Sequence, residues 1–276
     1  MNKPYINLGC GARFHPDWEN VDVYPSGPGV RVFDLRNRIP YPNSSFEFVY
    51  CSHLLEHFPK AVAANLLREC QRVLKPSGTI RVAVPDLEGI ARLYLEALQR
   101  ASSGEPGWSH NYDWMLLEMY DQCVRERSMG ETAAYLLQDP IPNREFVFKR
   151  WGAEALALAQ EARKRNRLND RPGPAWKNVL RNPARAIHRL LTKMILGKRN
   201  WEALQVGLFR LRGEVHLWMY DSYSLANALT AAGFHQPRKV SATESRLLGW
   251  QRFNLDAGPD GQPHKPDSLY MEAINP

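Results

Sequence analysis

Two glycines one residue apart, in Asn7-Leu8-Gly9-Cys10-Gly11-Ala12, follow a short apolar run of the kind that forms a buried strand. A glycine turn at a strand end lets a ligand approach backbone that a Cβ would block. By itself Gly-x-Gly is equally an ordinary tight turn. Two carboxylates give it company. Asp22 closes the run Glu19-Asn20-Val21-Asp22 and can accept hydrogen bonds from both hydroxyls of a ribose. Asp34-Leu35 closes a third run and could flank an adenine, Asp34 accepting from the exocyclic amine and Leu35 covering a ring face. A nicotinamide dinucleotide site is not expected. It wants a third glycine three positions after Gly11, where Phe14 stands, and His15-Pro16-Asp17-Trp18 interrupts the helix that should begin there.

His53-Leu54-Leu55-Glu56-His57 matches the H-x-x-E-H pattern of one class of zinc peptidases, in which two histidines bind the metal and the glutamate activates water. On a helix, histidines four apart face the same way. No third ligand is signalled, so no metal is expected, and a zinc hydrolase through His53, Glu56 and His57 is the minor alternative. The plainest alternative has His57 capping or packing under the sheet. Asp86, in Val84-Pro85-Asp86-Leu87-Glu88, either contacts a substrate or caps a helix, and Leu87, Ile90, Ala91 and Tyr94 at helical spacing favour the cap.

The elements that position these residues are short. Strands are expected over residues 5–8, 20–23, 30–33, 46–51 and 79–84, each followed by Gly, Pro, Asp or Ser. Between the last two, Val62, Ala63, Leu66, Leu67, Cys70, Val73 and Leu74 recur at helical spacing, and Pro76-Ser77-Gly78 ends the helix. The fold class is α/β: a Rossmann-like, doubly wound and mostly parallel sheet, with a large, mostly helical insertion before the last strands. Residues 1–99 form the ligand-binding core, 100–212 the helical insertion or lid on the substrate side, and 213–276 a helix and the last strands, near 238–242 and 269–274, that complete the sheet. Residues 257–266 are expected to be a loop.

Taken together, these residues resemble the class I S-adenosylmethionine (SAM)-dependent methyltransferases of the bacterial small-molecule type. The resemblance rests on Leu8-Gly9-Cys10-Gly11, Trp18-Glu19-Asn20-Val21-Asp22, Asp34-Leu35, the run from Phe46 through His57, and Arg68-Glu69-Cys70-Gln71-Arg72-Val73-Leu74-Lys75-Pro76-Ser77-Gly78. It covers residues 4–88 and resumes more weakly at His216-Leu217-Trp218-Met219-Tyr220, through Ala232-Gly233-Phe234, to Ser268-Leu269-Tyr270-Met271-Glu272-Ala273-Ile274. It implies SAM as cofactor, held by Asn7, Gly9, Cys10, Gly11, Asp22, Asp34 and Leu35, with Cys51 and Ser52 lining the floor. It implies transfer of a methyl group by in-line displacement to a small-molecule or glycan-like acceptor, at oxygen by analogy. His53 and His57 are the candidate catalytic residues, and Glu56 and Asp86 the candidate substrate contacts. A silent SAM-binding sensor or scaffold would carry the same cofactor residues. The chain departs from the family in two places. About ten residues separate the first two strands, too few for the usual crossover helix, and no helix precedes the first strand to cover the cofactor, a role the insertion could take.

The net charge of +7 favours anionic ligands or surfaces. In the insertion, Asn182-Pro183 starts a helix that Gly197 stops, with Ile187, Leu190, Leu191, Met194 and Ile195 on one face and Arg185, Arg189 and Lys193 on the other. That face is expected to pack on the sheet as a lid. Peripheral contact with an anionic membrane surface is the alternative. Nucleic acid is not an expected partner, because no zinc finger, RNA-recognition motif or basic zipper is present. The four cysteines show no paired spacing, and no apolar run reaches spanning length, so a cytoplasmic setting is expected.

Overall fold

The computed structural model describes residues 3–170 and 183–276. Seven strands form one mixed sheet: β1 (Tyr5–Leu8), β2 (Glu19–Asp22), β3 (Val30–Val32), β4 (Phe46–Ser52), β5 (Leu74–Pro85), β6 (His235–Val240) and β7 (Ser268–Ile274). Their order is β3-β2-β1-β4-β5-β7-β6. The first five are parallel, and β7 runs antiparallel between β5 and β6. The apolar residues of β1, β4 and β5 are buried on both faces, which is why their sequences read as continuous apolar runs.

Helix α1 (Lys60–Val73) buries Ala63, Leu66, Leu67, Cys70 and Val73 against one sheet face, where Leu225 and Leu229 of α8 (Ser222–Ala231) join it. The register of β4 on β5 jumps from Phe46↔Leu74 to Phe48↔Thr79, because Lys75-Pro76-Ser77-Gly78 bulges out of the pairing. Regular pairing therefore begins at Thr79, as the sequence pattern suggests.

The opposite face lacks a crossover helix. Residues 9–18 link β1 directly to β2, and Trp18, fully buried, plugs the gap among Phe48, Tyr50, Trp250, Phe253 and Leu255. The cover there comes from the short helix Trp250–Phe253 and not from the insertion. Beneath it, Arg81 of β5 is fully buried between Asp256 (2.7 Å) and Glu272 (2.9 Å). The two carboxylates neutralise a charge that could not otherwise leave water.

Helix α2 (Leu87–Ser102) leaves the end of β5, capped by Asp86, whose Oδ1 accepts from the amide of Gly89 at 3.2 Å. It opens a second core with α3 (Trp108–Leu116), α4 (Gln122–Val124), α5 (Gly130–Leu136) and α6 (Arg144–Asp170, broken at Gly152), centred on Trp114, Leu136, Val147 and Trp151. Helix α7 (Pro183–Arg210) is broken at Gly197, whose φ of 70° ends the first segment where the sequence places the stop. Asn182 and the side chain of Arg185 lie outside the described residues. The lid expectation fails for this helix: Ile187, Leu190, Leu191, Met194 and Ile195 are 52–83% exposed. An amphipathic period identifies a face, not its partner. Among the described residues no helix is long and apolar enough to cross a membrane.

Candidate functional site

Strand order reverses at β1, which has β2 on one side and β4 on the other, and this opens the crevice where open α/β sheets bind ligands. Gly9 (φ 67°) and Gly11 (φ 50°) turn there in the left-handed region. The amides of Gly9 and Cys10 both donate to the carbonyl of Val21, at 2.8 and 3.2 Å. The amide of Gly11 donates to Oδ2 of Asp22 (2.8 Å), whose Oδ1 accepts from Tyr24 N–H (2.9 Å). Each carboxylate oxygen still has acceptor capacity for a hydroxyl. Asn7 sends its side-chain N–H to the carbonyl of Arg13 at 3.0 Å, fixing the exit of the turn. No atom lies within 4 Å of where a Cβ on Gly11 would sit, while one on Gly9 would meet Leu54 at 2.7 Å. Open space above a glycine turn, beside a carboxylate at the neighbouring strand end, fits an adenosyl ligand.

The remaining expected cofactor residues are placed less uniformly. Asp34 is engaged by Arg36 through Nε (2.9 Å) and Nη2 (2.6 Å), and that hydrogen bonding holds its carboxyl below the usual range. Leu35 and Cys51 point into the main core. Burial pushes the thiols of Cys10 and Cys51 up to about 12, so neither is a nucleophile. Ser52 and His53 line a small recess with Arg13, Leu255, Asp256, His264 and Ser268.

The histidine run is not helical throughout, which corrects the picture of His53 and His57 side by side on one helix face. His53 sits at φ 49°, and only Leu55–His57 form a helical turn. His53 therefore turns away: its Nε2 lies 2.8 Å from Ser268 Oγ and its Nδ1 3.2 Å from Glu56 Oε1. His57 instead meets His216, with ring centroids 4.8 Å apart. His216 is the residue that the sequence motifs miss, because the whole insertion separates it from the run. Backbone bonds hold it there: Leu217 and Trp218 donate to the carbonyl of Glu56 (2.7 and 3.2 Å), and His216 donates to that of Gln122 (2.9 Å).

Glu56 is completely buried, and neither carboxylate oxygen has a hydrogen-bond partner. The 3.2 Å approach of His53 is close in distance but lacks the alignment of a hydrogen bond. Burial raises the carboxyl and the neighbouring imidazoles, His53 first, draw it down to about 2. Burial drives His216 the other way, down to about 3. These directions conflict, since a neutral His216 lends no positive charge to Glu56. Burial is the largest cause at His216, and His57, His53 and Lys265 add to it against the opposing pull of Glu56. Among the described residues, Glu56, His57 and His216 are grouped with their ligand-type atoms all within 4.8 Å of one another.

His53, His57 and His216 line a cavity of about 370 Å³ between the ends of β4 and β5 and the helical second core. Its far wall carries Glu118, buried and paired with Arg150, and Arg125, paired with Asp121 (2.5 Å) and Glu214 (3.1 Å). Glu118 is pushed up by burial. His53 borders both this cavity and the small recess formed with Arg13, Asp256 and Ser268. Asp86 is spent on its cap, with Lys239 3.4 Å away.

Residues 18–82 match the family model described as "Methyltransferase domain". "Probable methyltransferase ltbC" of Aspergillus luteorubrus is 32% identical over 66 residues, which are 22% of this chain and 23% of that protein. The chain thus spans about a quarter of that relative's length. Among solved structures, a methyltransferase of Haloferax volcanii, determined with its Trm112 activator, overlays 100% of this chain and 84% of its own at 11% identity and a TM-score of 0.40. A SAM-dependent methyltransferase of Clostridium acetobutylicum overlays 33% of this chain and 46% of its own at 14% identity and a TM-score of 0.28. Overlays this loose carry nothing beyond the sheet already described. The matched stretch, residues 18–82, is similar to a methyltransferase domain and lies in a doubly wound sheet with its glycine turn at the switch point.

Proposed function

We propose that this protein transfers the methyl group of SAM to an oxygen of a small or glycan-like acceptor bound in the 370 Å³ cavity beside His53. The observation that carries the reading is His53, which lines a cavity of small-molecule size while the next residue, Leu54, lies against Gly9 of the glycine turn. SAM supplies a methyl on a positive sulfur: the S–CH3 bond breaks with its electron pair going to sulfur as the O–CH3 bond forms. Asp22 accepts from the ribose hydroxyls, and the Gly9–Gly11 turn leaves room for the amino-acid portion. The protein's main task is then to hold the acceptor oxygen in line at about 3–3.5 Å. His53 takes the acceptor's proton. Ser268 Oγ, 2.8 Å from Nε2, fixes the orientation of the His53 ring.

Calorimetric titration with SAM, S-adenosylhomocysteine and NAD, followed by an acceptor screen read as S-adenosylhomocysteine release, tests this reading. Micromolar binding of the first two, no binding of NAD and turnover with a hydroxylated acceptor are expected. Binding without turnover on any acceptor pool would identify a sensor or scaffold, and no binding of either adenosyl compound would remove the cofactor assignment.

A further inference from the structure

We propose that Glu56, His57 and His216 form a binding site for one divalent transition-metal ion on the floor of the cavity. The three residues offer two imidazole nitrogens and one carboxylate within 4.8 Å of one another. That donor set suits ions of the zinc, iron and manganese class, and three protein ligands leave at least one coordination position open.

Three features show that the cluster is prepared for an ion. Glu56 is fully buried with both carboxylate oxygens lacking a hydrogen-bond partner, a costly state unless a cation completes it. His57 Nδ1 lies 3.2 Å from the carbonyl of Val215; a carbonyl only accepts, so a hydrogen bond there puts the proton on Nδ1 and leaves the Nε2 lone pair for an ion. Backbone carbonyls serve metal-bound histidines in this way. The third ligand is delivered by the backbone bonds from Leu217 and Trp218 to Glu56, which close the segment onto the turn. A tetrahedral ion at 2.0–2.1 Å holds its ligand atoms roughly 3.3 Å apart, so a pair at the 4.8 Å limit closes by about 1.5 Å when an ion enters.

The open position faces the cavity, because His57 and His216 line it while Glu56 lies beneath them. An acceptor hydroxyl ligated there would be oriented and made more acidic. This second statement rests on the methyltransferase reading, whereas the binding of the ion rests on the cluster alone.

The test uses the full-length protein, stripped with chelator, dialysed and titrated by calorimetry with zinc chloride and manganese chloride, and with S-adenosylhomocysteine in parallel. One ion per chain is expected. His216→Ala should weaken binding by at least about tenfold, since losing a group that merely supports a ligand already costs about 10–100-fold. Circular dichroism checks that this variant is folded, and the ligand-field absorption of the cobalt-loaded wild-type protein reports imidazole and carboxylate coordination without reference to activity. No saturable binding of either ion by the wild-type protein up to about 1 mM, or equal affinity in folded His216→Ala, overturns the site. If S-adenosylhomocysteine still binds in that case, the methyltransferase reading survives alone. An ion bound without S-adenosylhomocysteine binding leaves the site standing and removes that reading.

Discussion

The amide of Gly11 donates to Oδ2 of Asp22 at 2.8 Å, so the residue that ends β2 also holds the glycine turn after β1. One carboxylate therefore sets the shape of the turn and offers acceptor capacity to a ribose. Asp22→Ala should weaken SAM by about 1.5–3 kcal/mol, the scale of hydrogen bonds lost to a charged group. Asp22→Asn, which keeps one oxygen acceptor, should fall between Ala and wild type. Calorimetry on the three proteins checks the order. Unchanged affinity in Asp22→Ala would remove Asp22 from the site.

The two glycines differ in a way that substitution exposes. Both have positive φ, so alanine at either costs about 1–2 kcal/mol from backbone strain alone. Gly11→Ala should cost only that, because nothing lies within 4 Å of the new Cβ. Gly9→Ala must also displace Leu54, 2.7 Å from its Cβ position. Leu54→Ala in the Gly9→Ala background should recover the difference between the two single variants. Urea denaturation of the four proteins measures it, and equal losses for Gly9→Ala and Gly11→Ala would mean that Leu54 does not rest on the turn.

What the sequence makes legible is local. The strand ends that carry Gly9, Asp22 and His53 follow from apolar runs punctuated by turn residues, and the cap at Asp86 follows from the helical period after it. Pairings across the insertion are not legible in the same way. His216 reaches His57 only because Leu217 and Trp218 bond to the backbone of Glu56, and no spacing rule encodes that. Likewise the aromatic cover of Trp250 and Phe253 over Trp18 replaces a crossover helix. The sequence shows the helix to be missing without showing what fills its place.

Acid should destabilise the protein partly through Glu69. Its carboxylate accepts from Arg72 Nε (2.8 Å) and Nη2 (2.7 Å) and from the amide of Ile39 (2.9 Å), and the Arg72 hydrogen bonds hold it below its ordinary value. A carboxylate lowered in the folded state contributes stability above its unfolded pKa, near 4.3, and loses that stability as pH falls through the folded value. Glu69→Gln should therefore be less stable than wild type by about 1–2 kcal/mol at pH 7, with the gap closing below about pH 4. Denaturation midpoints from pH 3 to pH 7 test this, and a constant gap would show that ionisation of Glu69 is not its source.

The exposed stripe on the first segment of α7 makes the opposite kind of prediction. Met194 and Ile195 are 72% and 83% exposed, so Met194→Lys and Ile195→Lys remove almost no burial. Each should change stability by no more than about 0.5 kcal/mol, as surface substitutions do. Were the stripe packed on the sheet as a lid, each would forfeit about 1.5–3 kcal/mol of apolar burial and place a charge in the interface. Trp114→Ala, at a fully buried position in the helical core, provides the scale, with an expected loss of about 3–5 kcal/mol. Thermal melts of the three variants, repeated with saturating S-adenosylhomocysteine, decide between the two arrangements. If the lysine variants melt like wild type in both conditions, the face is free of the sheet with and without ligand. If they lose stability only when ligand is present, the segment closes over the site on binding.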